Sequence, residues 1–257
     1  MVIRIFAVLG RQWFDFLTNL GHFGIFCGRI VRSLDEPSTY LPLLSEEMIK
    51  IGNRSIPIIT LAAAFTGMVT SVQTAYQFTG FTPLYLVGGV VAESMFLELG
   101  PVITALVLSG RVGANIAAEL GTMKVTEQID ALETLSINPV AYLVIPKVVA
   151  GVIMFPVITI FADAVGLTGG WLVSVTTVNL SSYEFFKGVR NFFTPYDVIY
   201  GLIKSAFFGV TITLVATYYG FYTEGGAQGV GRATTKSVVI ACLMTLILDY
   251  LLAELIL

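Results

Sequence analysis

Histidine, cysteine and charge are scarce in this sequence, and each scarcity excludes a class of function. His22 is the single histidine, so a site that needs two imidazole ligands cannot be built. The two cysteines, Cys27 and Cys242, are far apart in apolar surroundings, which predicts buried thiols acting as small hydrophobic side chains. With 14 basic and 17 acidic residues, the formal net charge of -3 is too small to indicate nucleic-acid binding. The sequence therefore suggests neither a disulfide nor a metal site.

Charged residues make up only 12% of the 257 residues, whereas hydrophobic residues make up 56%. Soluble domains carry about a quarter charged residues, so this chain cannot keep its apolar surface from water unaided. The sequence therefore predicts an all-α integral membrane protein. Five spans are expected, at about 55–78, 84–118, 140–178, 196–219 and 237–257. The second and third exceed the roughly 20 residues that a span needs, and the third is expected to form either one helix or two.

Residues 1–34 are expected to form a helix in the lipid headgroup layer, because basic residues interrupt the apolar ones too often for a span. A polar link then leads to the transmembrane region, 55–257, of a single domain that covers 1–257. Basic residues are concentrated before the first span, between spans two and three, and between spans four and five. The positive-inside rule therefore places the N-terminus in the cytoplasm and the C-terminus on the outer side.

A polar segment at 119–138, here called the island, separates two strongly apolar regions. Within it, 122–136 lacks glycine and proline and is expected to form one amphipathic helix of about 22 Å, too short to cross a bilayer. One interpretation is a solvated connection between two spans. The other is a docking helix that a soluble partner grips through an apolar stripe and acidic neighbours. The candidate contact residues are Glu119, Val125, Glu127, Ile129, Asp130 and Leu132.

Charged residues inside the predicted spans include Glu93 and Glu98 in the second, Asp163 in the third, Lys204 in the fourth, and Asp249 and Glu254 in the fifth. Of these, Glu98, Lys204 and Asp249 form the candidate polar cluster. Each costs at least about 2.5 kcal/mol at the bilayer centre unless it is paired or hydrated. We expect Lys204 to lie between the two carboxylates. The cluster is then either a structural ion pair or a contact for a polar substrate headgroup, and the residues alone leave both open. Pro101 should kink or break the second span beside this cluster.

The segment 220–236 is rich in glycine but lacks the G-x-x-x-x-G-K-[ST] pattern of a phosphate-binding loop. We expect a flexible link between the last two spans and no recognisable ATP site in this chain. Arg111, near the end of the second span, is interpreted as an anchor at the membrane interface rather than a ligand. The sequence also shows no nucleophile beside a base that would indicate catalysis.

Three stretches carry a resemblance to a known family: LELGPV through EQIDAL at 97–132, IKSAFFGVTIT at 203–213 and GVGRATTKSVV at 229–239. Over about 43–252 the chain resembles the MlaE/YrbE family of ABC-transporter permeases. The resemblance implies an N-terminal interfacial helix, five transmembrane helices and a short cytoplasmic coupling helix between the second and third spans. It also implies phospholipid movement between the bacterial inner membrane and a periplasmic MCE-protein carrier system, which maintains outer-membrane lipid asymmetry.

The same resemblance implies a set of partners. Two copies of the permease would form a homodimer, and a cytoplasmic ABC ATPase (MlaF-like) would dock on the island. That ATPase would hold the ATP-Mg, so this chain would be a non-catalytic subunit without a cofactor of its own. A STAS-domain protein (MlaB-like) would bind the ATPase, and a hexameric MCE protein (MlaD-like) would be anchored on the periplasmic side.

The resemblance also suggests where a phospholipid substrate would bind. An outward-open cavity is expected to be lined by Glu98, Leu99, Lys204, Asp249, Val69 and Val72, with the three apolar residues holding acyl chains. One departure is Leu97, because close relatives commonly have an arginine before the glutamate, so headgroup contacts are expected to differ.

Three other classes of protein would also place charges in a membrane. The leading alternative is an ion-coupled secondary transporter or channel without an ATPase partner, although the two halves of the sequence show no convincing repeat. An intramembrane lipid-modifying enzyme could use Glu98 or Asp249 as a base. A membrane scaffold without transport activity is the third.

Overall fold

The computed structural model describes residues 2–78 and 83–257, with side chains described at 17, 18, 20–78 and 83–257. Helix is the only regular secondary structure in these ranges. Nine α-helices lie within them: α1 (Val2–Ser33), α2 (Pro37–Ile51), α3 (Ile56–Gln77), α4 (Leu86–Val125), α5 (Gln128–Thr134), α6 (Val140–Thr176), α7 (Ser182–Phe192), α8 (Pro195–Phe221) and α9 (Gly226–Ile256).

Five helical segments are long and apolar enough to cross a membrane: α2 continuing into α3, then α4, α6, α8 and α9. This confirms the prediction of an all-α membrane protein with five spans. The predicted polar link before the first span is itself helical, because α2 covers most of it and a 3-10 turn at Asn53–Ser55 joins it to α3. The third span is a single helix, which answers the question that the sequence left open.

The spans run alternately between two ends of the bundle. Glu119 near the end of α4 pairs with Lys147 near the start of α6, so both residues mark the end that carries the island, here called the island end. At the opposite end, here called the far end, α7 packs on the start of α4. There the Tyr196 hydroxyl of α8 donates a hydrogen bond to the carbonyl of Ile256 of α9, at 2.7 Å.

The first helix packs at the island end through its last turns. Phe26 is fully buried and lies edge-on to the rings of Tyr218 and Tyr222, at the end of α8. Such aromatic pairs contribute stabilisation beyond the area they bury. The predicted helix at 1–34 is therefore present and docked, whereas its position in the headgroup layer stays a prediction.

Small residues allow α3 and α6 to pack closely along most of their length. A side chain at Gly67 would overlap the carbonyl of Gly166, and one at Gly169 would overlap the carbonyl of Ala64. In lipid, where tails are as apolar as leucine, such close backbone packing is a main source of helix association. Ala64 and Gly67 are the residues of the first span at which this close approach occurs.

Two π-helical turns, Met95–Leu99 and Ser109–Gly113, interrupt the α-helical pattern of α4. The first of them accommodates Pro101, which has no N–H to donate. The Gly100 N–H bonds to the Met95 carbonyl five residues back, so the proline occupies the first turn of the next α-helical stretch. The helix is therefore continuous at Pro101, and the predicted break does not occur.

The island is not the single helix predicted at 122–136. The fourth helix continues to Val125, and the chain then turns before the seven-residue α5. Thr126 directs its hydroxyl back to the carbonyl of Thr122 at 2.8 Å, and Glu127 follows in the left-handed conformation, with φ of 60°. The turn brings α5 back onto the bundle, where Ile129 is 1% exposed. Burial of that side chain is incompatible with a straight rod projecting from α4.

Two further predictions about connections need correction. The segment 220–236 is not a flexible link, because α9 already begins at Gly226 and only four residues separate it from α8. Gly225, with φ of 88°, supplies the left-handed conformation that reverses the chain in so short a distance. The far-end connection before α8 contains an unpredicted helix, α7, which begins with a capping box between Ser181 and Glu184.

The substitution Gly67→Ala should lower the free energy of unfolding by about 1–3 kcal/mol, because the added methyl group forces α3 away from α6. Gly110→Ala is the matched control, since no other residue lies within 4 Å of the position its methyl group would take. Unfolding of detergent-solubilised protein by a denaturing detergent measures both. Equal behaviour of the two variants would show that α3 and α6 are not in close contact.

Candidate functional site

Three charged side chains meet between α4, α8 and α9 and are called the triad here. The Lys204 amine lies 2.7 Å from a Glu98 carboxylate oxygen and 2.5 Å from a carboxylate oxygen of Asp249. Lys204 is fully buried inside an apolar helix. The prediction that this lysine lies between the two carboxylates is confirmed, and one cation is neutralised by groups from two other spans.

The backbone of α4 supplies the third acceptor for Lys204. Its amine donates to the Leu97 carbonyl at 3.4 Å. In an α-helix this carbonyl would accept a hydrogen bond from residue 101, but that residue is a proline. The ammonium group therefore donates to this carbonyl and to Glu98, and Asp249 neutralises it as an ion-pair partner. The proline and the triad are thus parts of one local arrangement.

The triad reaches the surface of the chain through one member. The side chain of Glu98 is 48% exposed, whereas that of Asp249 is 16% exposed and that of Lys204 is inaccessible. Tyr200, one turn before the lysine, is fully buried with its ring 5.1 Å from the amine. Sequence reasoning missed this tyrosine, although an aromatic residue four positions from a buried cation is a usable signal. A ligand approaching the triad would meet Glu98 first.

The three predicted acyl-chain residues do not all lie together. Leu99 lines a narrow apolar crevice between α3 and α4, beside Ala62 and Thr66. Val69 and Val72 are 53% and 44% exposed on α3, a helix that contributes no member of the triad. Their side of α3 is therefore free to contact lipid or another chain.

The predicted partner-contact residues of the island divide into two groups. Glu119 is occupied by an ion pair, Ile129 is buried, and Leu132 packs against the core, so these three face the chain itself. Val125, Glu127 and Asp130 are exposed, with Asp130 also bonded to Lys124 at 2.6 Å. The apolar stripe therefore holds α5 on the bundle more than it offers a surface to a partner. Leu135, 69% exposed, adds an apolar side chain to the free surface.

A second ion cluster, here called the Lys147 cluster, ties three helices together at the island end. Lys147 of α6 is 2% exposed and lies 3.0 Å from Glu47 of α2 and 2.9 Å from Glu119 of α4. Lys50 adds bonds of 2.9 Å to Glu47 and 3.0 Å to Glu46. Sequence reasoning missed this cluster, because Lys147 and Glu47 are 100 residues apart and no spacing indicates their contact.

The last residue of the island connects it to the end of α1. The Asn138 amide donates to the Ser33 hydroxyl at 2.9 Å and to a Glu36 carboxylate oxygen at 3.1 Å. Its side-chain oxygen accepts a hydrogen bond from the Val140 N–H at 3.1 Å, which caps the start of α6. Movement of the island would therefore be transmitted to α1, α2, α4 and α6.

Five helices long and apolar enough to cross a membrane, with an ion cluster between three of them, define a multi-pass membrane protein with a polar site inside its bundle. The description of the matching family is "Permease MlaE", and the match covers residues 44–255. The chain belongs to this family.

Relatives extend the similarity over nearly the whole chain. A probable ABC transporter permease protein of Rickettsia felis is 39% identical over 99% of this chain and 98% of its own length. The intermembrane phospholipid transport system permease protein MlaE of Haemophilus influenzae is 36% identical over 98% and 97%. The chloroplast protein TRIGALACTOSYLDIACYLGLYCEROL 1 of Arabidopsis thaliana is 33% identical over 90% of this chain and 66% of its own length.

The substitution Lys147→Met should destabilise the protein by about 3 kcal/mol, because the buried Glu47 carboxylate loses its buried counterion and keeps only the partly exposed Lys50. Lys50→Met removes a lysine from the same cluster, but that side chain is one-third exposed, so its loss should cost about 1 kcal/mol or less. Unfolding in detergent gives both values, and Glu119→Gln in the Lys147→Met background should recover part of the loss. Equal effects of the two lysine substitutions would contradict the central place of Lys147.

Proposed function

We propose that this chain is the membrane subunit of an ABC transporter that moves phospholipids between the bacterial inner membrane and a periplasmic MCE-protein carrier. Such movement would maintain the lipid asymmetry of the outer membrane. Family membership and the name of the Haemophilus relative support the assignment. The observation that carries it is the triad, a buried lysine whose ion pair opens to the surface of the spans through Glu98.

The triad suits a lipid headgroup because Lys204 can exchange one anionic partner while it keeps the other. A phospholipid phosphate that approaches Lys204 could replace Glu98, while Asp249 keeps the ammonium partly neutralised. A cationic headgroup would instead meet the exposed Glu98 carboxylate. The acyl chains would then extend along the apolar surface of α3, past Leu99, Val69 and Val72.

A second copy of the chain would complete the cavity. In the apolar stretch of α9 only 17% of the residues are buried, against 50% in that of α8, so α9 has a wide uncovered apolar face. In the apolar stretch of the first span 28% of the residues are buried. In a homodimer, these two faces would enclose a space above the triad and hold lipid tails there.

The island is the proposed site at which an ATPase binds this chain and moves it. A cytoplasmic ABC ATPase (MlaF-like), with a STAS-domain protein (MlaB-like) bound to it, would contact the exposed Val125, Glu127 and Leu135. The fourth helix is continuous from the island to Glu98, with the π-helical turn Ser109–Gly113 between them, and the Lys147 cluster links it to α2 and α6. ATP-driven movement would thus reach the triad through one helix. The island would be cytoplasmic, and a hexameric MCE protein (MlaD-like) would meet the far end.

Neutralising the triad by the triple substitution Glu98→Gln, Lys204→Met and Asp249→Asn should lower ATP-dependent phospholipid transfer by about 10-fold or more, because headgroup hydrogen bonds to charged groups are lost. Since no unpaired charge is left behind, the protein should stay folded. Transfer of a fluorescent phospholipid from proteoliposomes carrying the permease and its ATPase measures this.

The matched control for this experiment is Glu254→Gln, which removes an exposed carboxylate from the same helix, α9, outside the triad. Full transfer by the triple variant would show that the triad is only a structural ion pair. If the native chain transfers lipid only when an ion gradient is present, and does so without the ATPase, the protein is a secondary transporter.

Charge reversal of the island by Glu127→Lys and Asp130→Lys should abolish the coupling of ATP hydrolysis to lipid transfer, because both side chains are exposed where the ATPase is proposed to bind. Transfer per ATP hydrolysed and co-purification of the ATPase are the measurements. Glu254→Lys, a reversal at the far end, is the control and should leave co-purification of the ATPase unchanged. Normal coupling in the double variant would remove the island from the ATPase interface.

A further inference from the structure

A polar cavity of about 560 Å³ lies at the island end, between the junction of α2 with α3 and the second half of α4. It is separate from the triad, because Arg111 on its wall is about 20 Å along α4 from Glu98. Its polar lining includes Lys50, Arg54, Asn115 and Thr122. Neither the proposed transport route nor the proposed ATPase contact uses this cavity.

The two arginines in this cavity lack acidic partners. In the part of the chain that the structure describes, neither Arg54 nor Arg111 forms an ion pair with a carboxylate. The carboxylates on the wall, Glu47 and Glu119, are held by Lys147. Two guanidinium groups thus line one space without a carboxylate in direct ion-pair contact with either of them.

The guanidinium of Arg111 is held in position by a buried hydroxyl. It donates a hydrogen bond to the Ser55 side chain at 2.5 Å, and that hydroxyl in turn donates to the Ile51 carbonyl. Since Ser55 is fully buried, this contact fixes the arginine against the 3-10 turn that contains Arg54. A guanidinium carries five N–H donors, so most of those on Arg111 stay available to a ligand.

The depth of the cavity indicates which ligands can reach it. The 22 residues of α3 measure about 33 Å, close to the thickness of the hydrocarbon core of a bilayer. Arg54 lies two residues before this helix, and Arg111 contacts Ser55 between them, so with α3 across the hydrocarbon core both guanidiniums would lie near the level of lipid phosphates. Basic pockets at this level, between membrane helices, are typical sites for anionic lipid headgroups.

We propose that the cavity binds a phosphate group of net negative charge through Arg54 and Arg111, with an anionic phospholipid of the adjacent leaflet, or soluble phosphate, as its source. Planar guanidinium groups bind phosphate oxygens in a bidentate manner, and Asn115 can add an amide donor. The bound anion bridges the α2–α3 junction and α4. Arg111 is then a ligand rather than the interfacial anchor that its sequence position indicated.

Lipid retention by the full-length chain tests this proposal without any transport measurement, so its failure leaves the proposed function standing. Native mass spectrometry after incubation with phosphatidylglycerol or phosphatidylcholine reports the lipid retained. Arg54→Gln and Arg111→Gln should each lower phosphatidylglycerol retention by about 5-fold and leave phosphatidylcholine retention nearly unchanged. Arg190→Gln, an exposed arginine of α7 at the far end, is the matched control and should change neither.

Two further arms identify the source of the anion and guard against misfolding. In the first arm, the unfolding temperatures of the native chain and of Arg54→Gln/Arg111→Gln are measured with inorganic phosphate and with chloride. If phosphate alone raises the unfolding temperature, and only that of the native chain, while both proteins retain lipid equally, soluble phosphate is the ligand. The pair Arg54→Lys/Arg111→Lys keeps the charge and should keep most of the binding. Unchanged lipid retention without a phosphate effect, or equal loss of both lipids, would overturn the proposal.

Discussion

A charge buried among membrane helices must be neutralised by a partner within reach, and this requirement determines how the spans of this chain fit together. Lys204 is inaccessible to solvent and is stable there only while α4 and α9 present Glu98 and Asp249 at the same depth. The register of three spans therefore depends on one ammonium group. At the island end, Lys147 imposes the same condition on α2, α4 and α6.

The proline in α4 shows how backbone and side-chain chemistry support each other within this arrangement. A proline inside a membrane helix frees a carbonyl, and a carbonyl in hydrocarbon needs a donor. The π-helical turn before Pro101 keeps the helix continuous, and Lys204 supplies a donor to the Leu97 carbonyl. The lysine thus donates to a backbone carbonyl and to Glu98 and forms an ion pair with Asp249, so one ammonium group serves acceptors on two other helices.

The number of spans and the triad could be predicted because both are properties of rare features in an apolar sequence. A carboxylate or a lysine in a run of hydrophobic residues demands a partner, and Lys204 had few candidates. The Lys147 cluster could not be predicted, since its partners come from polar segments where charges are common.

The predicted helix bounds were wrong for a different reason. Hydropathy marks where apolar residues end, whereas α9 continues as a polar helix back to Gly226. In the island, the stripe that includes Ile129 was found, but periodicity cannot tell a face that packs on its own bundle from one that meets a partner.

The fourth helix, α4, carries a member of the triad and a member of the Lys147 cluster, and this limits where α4 can bend. Glu98 and Glu119 lie about 30 Å apart along α4, each fixed to other helices by a buried lysine. Between them, the π-helical turn Ser109–Gly113 is a stretch where the regular α-helical hydrogen-bond pattern is already interrupted, and such turns concentrate at functional sites. Arg111 belongs to this turn and contacts Ser55 at the start of α3. A helix clamped at two levels can change shape most readily at the irregular turn between the clamps. Any ligand held by that arginine would therefore act on the segment that joins the island to the triad.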